Sequence, residues 1–453
     1  MTLPPKPGGR LGRAGPLRFL WLLRRDILSA QSPRLYRAQM AEFRTPFWRS
    51  CVVNDPGLIR TILQDRPADF PKSPHLVAAL TPLLGKGLFL ATGTDWDRQA
   101  RIMAPLIEAD PRRALPQVHA AGQAALSRLA AQEGPLPLDR FARHVTADVM
   151  FRLMASRPIE EDEAAQLLAT FERFEGSAPL VSLAAMFPRL SGRWPSVKPA
   201  TRAAARDLRK LVARLVARHR LGRIKGQVQR DWVGRFLTAT DPETGAPMDK
   251  VELVDQVTTL ILAGHETTAA ALAWALYLLA LYPAEQAAIA AEADRVLGDS
   301  PADPAGLERT RRAVRETLRL YPPLPMLLRE SNCPVRFRNR DLPAGAQMVI
   351  SPWHLHRHAA HWPDPDAFRP ERWGDPAQAA ARREAYLPFG AGPRACPGAG
   401  LAMAELTLLV ALILRDHVLT PHGPGPRPRA RLTLRSDPPL QVTASPRRRN
   451  AGS

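Results

Sequence analysis

The sequence is short of cysteine, lysine and tyrosine, and it has no long apolar run near its start. Three cysteines, Cys51, Cys333 and Cys396, are an odd number at wide spacing, which excludes a disulfide framework and a CxxC metal site. That predicts a reducing, cytoplasmic setting and leaves a thiol free for chemistry. Only seven lysines stand against 56 arginines, and the formal net charge is +20. The arginines are scattered through helix-like segments without interleaved aromatics or a glycine-hinged basic stripe, a pattern that excludes nucleic acid as the partner. Within residues 1–25, the basic Lys6, Arg10, Arg13 and Arg18 precede only five apolar residues, 19–23. A secretory signal core needs about 7–15 and a membrane span about 20. Residues 1–31 are therefore expected to form an N-terminal strap on the body of the protein, with at most peripheral membrane contact through 1–25. With 453 residues, a fused reductase is not expected.

Hydrophobic residues make up 45% of the chain and charged residues 23%, ample for a large core and incompatible with disorder as the dominant state. Alanine- and leucine-rich segments with helical periodicity recur near 96–109, 116–132, 138–155, 161–175, 199–222 and 248–281, separated by proline-rich breaks. A strand is predicted over 50–53, ahead of a turn at Pro56-Gly57 and a helix over 58–63. A second small sheet is predicted from 335–337, 347–350, 431–434 and 440–443, the last two flanking Asp437-Pro438-Pro439. The expected fold is mainly α with small β-sheets, one domain over 32–445 with its β-rich part near 32–70, 335–350 and 430–444, and a disordered tail over 446–453.

The segment Phe389-Gly390-Ala391-Gly392-Pro393-Arg394-Ala395-Cys396-Pro397-Gly398, ahead of a helix-like run over 401–414, fits FxxGxRxCxG. Composition alone produces that five-point match roughly 4 times in 100,000 such chains. A cysteine just before a helix N-terminus, in a glycine-rich loop whose N–H groups point at sulfur, is held as thiolate and tuned as an electron-rich axial ligand. Thiolate ligation of haem iron favours O–O cleavage. Arg394 is placed to reach a haem propionate, Gly392 and Gly398 to allow close backbone approach, and Phe389 to pack beside the loop.

With this motif the chain resembles the cytochrome P450 family of haem-thiolate monooxygenases, as a soluble, bacterial-type, stand-alone haem domain. The resemblance implies the P450 triangular prism, with haem b held between a long central helix and the loop of Cys396, the axial ligand of its iron. Ala263-Gly264-His265-Glu266-Thr267-Thr268 is similar to the family's oxygen-activation motif. In that reading Ala263 and Gly264 leave room over the haem for O2 and substrate, and Glu266 and Thr267 form the acid–alcohol pair that delivers protons. Because Glu266 lies about 200° round a regular helix from Gly264, a local distortion is expected over 262–268. Glu316 and Arg319, before Leu320-Tyr321-Pro322-Pro323, are similar to the family's structural triad, with Arg372 as third member. The ExxR spacing alone also fits Glu292/Arg295 and Glu308/Arg311. Trp96, Arg329 and His356 resemble propionate-side positions. Four residues after Trp96, where the family often has a basic residue or histidine, stands Ala100, so Arg101 or its neighbour Arg98 is expected to substitute.

The reaction implied is insertion of one atom of O2 into a lipophilic substrate such as a fatty acid, terpenoid or steroid. Electrons are expected from a separate ferredoxin or flavodoxin with its reductase, an acidic donor docking on Arg98, Arg101, Arg382 and Arg383. The substrate pocket is expected to draw on the loop 72–92, on 170–200 with Leu180, Val181 and Leu183, and on Leu324, Met326 and Leu327. Two other readings stand beside this one. One is a haem-thiolate peroxygenase, isomerase or non-catalytic haem protein. The other is a metallohydrolase built on His354, His356, His358 and His361, which lack the acidic companion such a site needs.

Overall fold

The longest element, Lys250–Leu281, is buried along almost its whole length, and its amino end is capped by Asp249, whose carboxylate accepts the N–H groups of Val251 and Glu252. A helix apolar on all sides has to be surrounded. Helices Leu138–Ala155, Pro199–Ile224, Glu308–Leu320 and Ala399–Asp416 pack round it and share one apolar core. The structure is a computed structural model that describes residues 3–8, 21–22, 26–45, 48–107, 111–177, 197–225, 231–297, 304–337 and 339–447.

Four strands make a mixed sheet in the order Met40–Thr45, Trp48–Val53, Gln347–Ile350, Leu327–Glu330, with the central pair parallel. Val335–Phe337 pairs with Arg340–Leu342, Arg427–Ala430 with Leu434–Asp437, and Gln441–Pro446 lies between Leu136–Pro137 and His417–Pro421. The second sheet predicted from four segments is therefore distributed over four sheets. Residues 431–433 form no strand, and Asp437-Pro438-Pro439 separates two sheets instead of closing a hairpin. Alternation marks a strand but not its partner, which distant N–H and C=O groups decide. The two prolines offer no N–H to a continuing ladder.

Residues 3–8 lie on the body of the protein. The Tyr321 hydroxyl donates to the Pro5 carbonyl at 2.7 Å, and Lys6 pairs with Asp366 at 2.8 Å while sitting 3.8 Å over the Tyr36 ring. Arg10, Arg13, Arg18, Phe19 and Leu20 lie outside the described residues. At the other end Pro446 closes a strand and Arg447 donates from its main chain to Asp416 and from Nε to Arg415. Ordered chain thus passes the expected boundary at 446, and 448–453 are outside the described residues. Among the described residues no single helix is long and apolar enough to cross a membrane.

Glu316 ties the helix Glu308–Leu320 to the segment that leads toward the cysteine loop. Arg319 grips its carboxylate with two bonds of 2.9 and 2.8 Å, Arg372 adds one of 3.0 Å, and the Trp373 indole and Arg369 N–H complete the set. A buried ion cluster is tolerated only when its lone pairs are this fully used. Burial pushes the Glu316 carboxyl up, but Arg319 and Arg372 outweigh it and hold it below the usual range. Of the two rival spacings, Glu292 instead caps this helix by accepting the N–H groups of Arg309 and Thr310, and Glu308–Arg311 is a surface pair at 3.0 Å.

Candidate functional site

A cavity of about 1090 Å³ opens between the central helix and the loop before Ala399–Asp416. The loop is shaped by its glycines. Gly390 and Gly392 have φ of 71° and 72°, and a Cβ on Gly392 would overlap the Leu63 carbonyl oxygen. Only glycine meets both demands at low cost. Gly392 faces Leu63 and Gln64, so its close approach is to the protein's own backbone. The N–H of Cys396 donates to the Phe389 carbonyl at 2.9 Å, which folds the loop back and turns the sulfur into the cavity. Burial among protein atoms raises the thiol's pKa, while the Gly398 N–H pulls it down.

Opposite the loop, Ala263 is the exposed position in an otherwise buried stretch, and Thr267, one turn on, shares the opening. The distortion expected over 262–268 is absent: Lys250–Leu281 is uninterrupted α-helix. The Thr267 hydroxyl donates back to the Ala263 carbonyl at 2.6 Å, and Thr146 donates to the His265 carbonyl at 3.0 Å, neither breaking the helix. Glu266 needs no distortion because it finds charged partners where it stands, although its Oε1 accepts no hydrogen bond among the described residues. It ion-pairs with Arg435, and Arg143 Nε lies 3.5 Å from its other oxygen. Gly264 also departs from expectation, since the space of its missing side chain is filled by Met150.

The cavity walls are mostly apolar and include Leu324, Met326, Leu327, Trp96 and Phe389. Leu180, Val181 and Leu183 lie outside the described residues. One wall differs: Arg329, Arg394 and Lys72 all border it, and Arg394 lies 4.0 Å over the Trp96 ring. Sequence reasoning missed Lys72, whose only signal was its rarity as a lysine in an arginine-rich chain.

Two expected cofactor contacts fail. Arg101 is turned to Asp241 with bonds of 3.0 and 3.1 Å, and Arg98 to Glu252 at 2.6 Å, so neither compensates for Ala100, which itself faces the cavity. His356 is fully buried with both ring nitrogens engaged: Leu387 N–H donates to Nε2 at 2.8 Å, which leaves Nδ1–H to donate to the Arg319 carbonyl at 3.1 Å. Burial holds its pKa down to about 3, as it does that of His354. Among the described residues no three His, Cys, Asp or Glu side chains converge as a metal site.

A model of the cytochrome P450 family matches residues 40–444. The chain belongs to the cytochrome P450 family. Its fold agrees with the crystal structure of the cytochrome P450DA heme domain at a TM-score of 0.78 and 25% identity, over 98% of each chain. Cyclooctatin synthase of Streptomyces melanosporofaciens is 41% identical over 221 residues, 48% of each chain. Cyclooctat-9-en-7-ol 5-monooxygenase of the same organism is 40% identical over 218 residues, 47% of each. The chain thus spans about half the length of these two curated relatives in the matched part.

Haem is the cofactor of this P450, and the cavity fits it on its own chemistry. Apolar walls suit a flat macrocycle, a cysteine sulfur stands at one side, and the cations Arg329 and Arg394 border it with no carboxylate within ion-pair distance among the described residues. Unpaired buried cations are costly, and a ligand carrying carboxylates would relieve them.

Proposed function

We propose that this P450 is a monooxygenase that inserts one atom of O2 into a lipophilic substrate while the other leaves as water, with Cys396 as the thiolate that would hold haem b. One observation carries the reading: the Cys396 sulfur, the Ala263–Thr267 opening and the cations Arg329 and Arg394 all border one apolar cavity. Haem, when bound there, supplies the redox chemistry, and thiolate ligation favours O–O cleavage. The chain's own residues do the rest. The Gly398 N–H favours the charged sulfur. Arg329 and Arg394, with Trp96 beneath the latter's guanidinium, would hold the propionates. Ala263 leaves volume beside Thr267, whose hydroxyl turns from the Ala263 carbonyl to hold a proton at the oxygen side. Glu266 joins that path only by giving up its contact with Arg435.

The lining residues Leu80, Leu83, Phe171, Phe174 and Leu262 exclude water and favour a fatty acid, terpenoid or steroid-like substrate. The relative named as a 5-monooxygenase of cyclooctat-9-en-7-ol supports a cyclic member of that class. Electrons come from a separate ferredoxin or flavodoxin with its reductase in the cytoplasm. Since Arg98 and Arg101 are neutralised by acidic partners, docking of an acidic donor falls to Arg382 and Arg383. The test is the spectrum of the dithionite-reduced holoprotein with carbon monoxide. A strongly red-shifted Soret band is expected, and Cys396→Ala should abolish it while far-UV helicity persists. A histidine-type band in the parent protein, or survival of the thiolate band in the variant, overturns the assignment.

A further inference from the structure

Residues 199–225 hold nine Lys and Arg side chains and one acidic residue, Asp207, whereas the whole chain holds 63 cations in 453 residues. Cations are thus more than twice as dense here as elsewhere, and the helix Pro199–Ile224 sorts them by face. Leu208, Leu211, Val212, Leu215 and Val216 are buried in the core. On the solvent side Arg202, Arg206, Lys210, Arg214 and Arg218 follow one another at four-residue steps, a row about 24 Å long at about 1.5 Å per residue.

Like charges four residues apart destabilise a helix, and the protein offsets these only weakly. Among the described residues the side chains of Arg202, Arg206 and Lys210 have no ion-pair partner. Arg214 donates to the neutral Gln166 at 3.3 Å, and Arg218 stands 3.9 Å from Glu163, a carboxylate already held by Arg157 at 2.7 Å. Asp207, the one acid within the row, pairs with Arg173 at 3.4 Å. Toward its end the row becomes apolar. Leu221, Ile224 and Val251 are 58%, 80% and 65% exposed, three of the seven large hydrophobic side chains that stand out among the described residues. Ile224 and Lys250 border one surface hollow with Arg220 and Arg223, which joins this helix to the start of Lys250–Leu281. Asp249 also borders it, with its carboxylate engaged as the helix cap.

We propose that this face, from Arg202 to Ile224 with Val251, is a docking surface for an anionic lipid bilayer, which brings the protein to the phase where a lipophilic substrate collects. The inference is independent of the chemistry assigned to the cavity. A bilayer surface offers an extended array of phosphates for the row of cations, and aliphatic tips beside the row enter between the headgroups. A second copy of this chain would bring the same positive charge and be repelled. An acidic protein would match the charge, but the centres of protein interfaces favour aromatic anchors, and among the described residues this face exposes none.

The experiment sediments purified holoprotein with vesicles made of equal parts phosphatidylcholine and phosphatidylglycerol, or of phosphatidylcholine alone. Binding is expected to the anionic vesicles and to weaken as salt is raised. The triple variant Arg202→Gln, Arg206→Gln, Lys210→Gln should bind them about tenfold more weakly or less. The double variant Leu221→Ser, Ile224→Ser should also bind more weakly while keeping the salt dependence of the parent. Far-UV helicity and the carbon monoxide band of both variants, expected to match the parent, separate a lost surface from a lost fold. Failure of the parent to prefer the anionic vesicles overturns the proposal, as does equal binding by the parent and both variants. Unaltered vesicle binding with slower reduction by a ferredoxin or flavodoxin donor overturns it as well and assigns the face to an acidic protein.

Discussion

The Glu266 carboxylate ion-pairs with the Arg435 guanidinium, which ties the middle of the central helix to a hairpin strand 169 residues further along the chain. Arg435 also binds Glu175 at 3.1 Å, and Arg143 reaches Glu266 from a third element. Burial raises the Glu175 carboxyl above its ordinary range; Arg435 opposes that shift and the Glu266 charge adds to it. The acid next to Thr267 is therefore held by long-range ion pairs, and its availability for proton transfer is a property of four elements together.

Arg435→Met leaves Arg143 as the remaining ion-pair partner of Glu266 and Glu175 among the described residues. Breaking a buried ion pair on one side costs about 3–5 kcal/mol, expected as a lowered denaturation midpoint that Arg435→Lys partly restores. A midpoint unchanged within about 0.5 kcal/mol would mean that the two carboxylates find other partners.

Gly392→Ala forces a side chain onto φ of 72° and into the Leu63 carbonyl. The loop has to move, at a cost of about 1–3 kcal/mol for the backbone strain alone. Because the same loop aims the Cys396 sulfur, a weakened thiolate band with carbon monoxide is expected beside the loss of stability. A full band at parental stability would show that the loop and the Leu63 segment separate freely.

Thr267→Ala removes a hydroxyl bonded only to a helix carbonyl, an arrangement of little value to stability. We expect haem content and denaturation midpoint within about 1 kcal/mol of the parent, with electrons diverted from product to hydrogen peroxide. Product and peroxide yields per electron supplied give the answer, and unchanged coupling would place the proton path elsewhere.

Glu405, on helix Ala399–Asp416, is buried with Oε1 unpartnered, and burial pushes its carboxyl from 4.5 up to about 8. A folded-state pKa above the unfolded value gives stability that is complete below the unfolded pKa and is lost as pH rises through the folded one. Glu405→Gln stays neutral, so it should match the parent near pH 4.5 and gain on it by roughly 1.4 kcal/mol per pH unit, to about 4 kcal/mol near pH 8. Urea midpoints of both proteins at pH 5 and pH 8.5 check this. A difference independent of pH would show that Glu405 ionises freely in the fold.

Local motifs were legible because their geometry is closed over short distances. The Cys396 loop folds on itself through the Phe389 carbonyl, and Glu316 meets Arg319 one helical turn away. Trp96, Arg329 and Leu327 border the cavity, Trp96 on a helix the periodicity marked and the other two on a short strand it did not. Arg101 and His356 were misread for the opposite reason. Their charges and lone pairs are claimed by Asp241, Arg319 and Leu387, and no local spacing announces such partners.

The sequence by itself determined a mainly helical chain, a buried central helix and a cysteine presented by a glycine-shaped loop, because periodicity, turn chemistry and positive φ are local constraints. Tertiary structure decided which strands pair, that Glu266 answers to Arg435 and Arg143, and that Lys72 stands beside Arg329 on the cavity wall. Those outcomes depend on electrostatics and main-chain pairing between residues far apart in the chain, and only the packed core brings such groups within bonding distance.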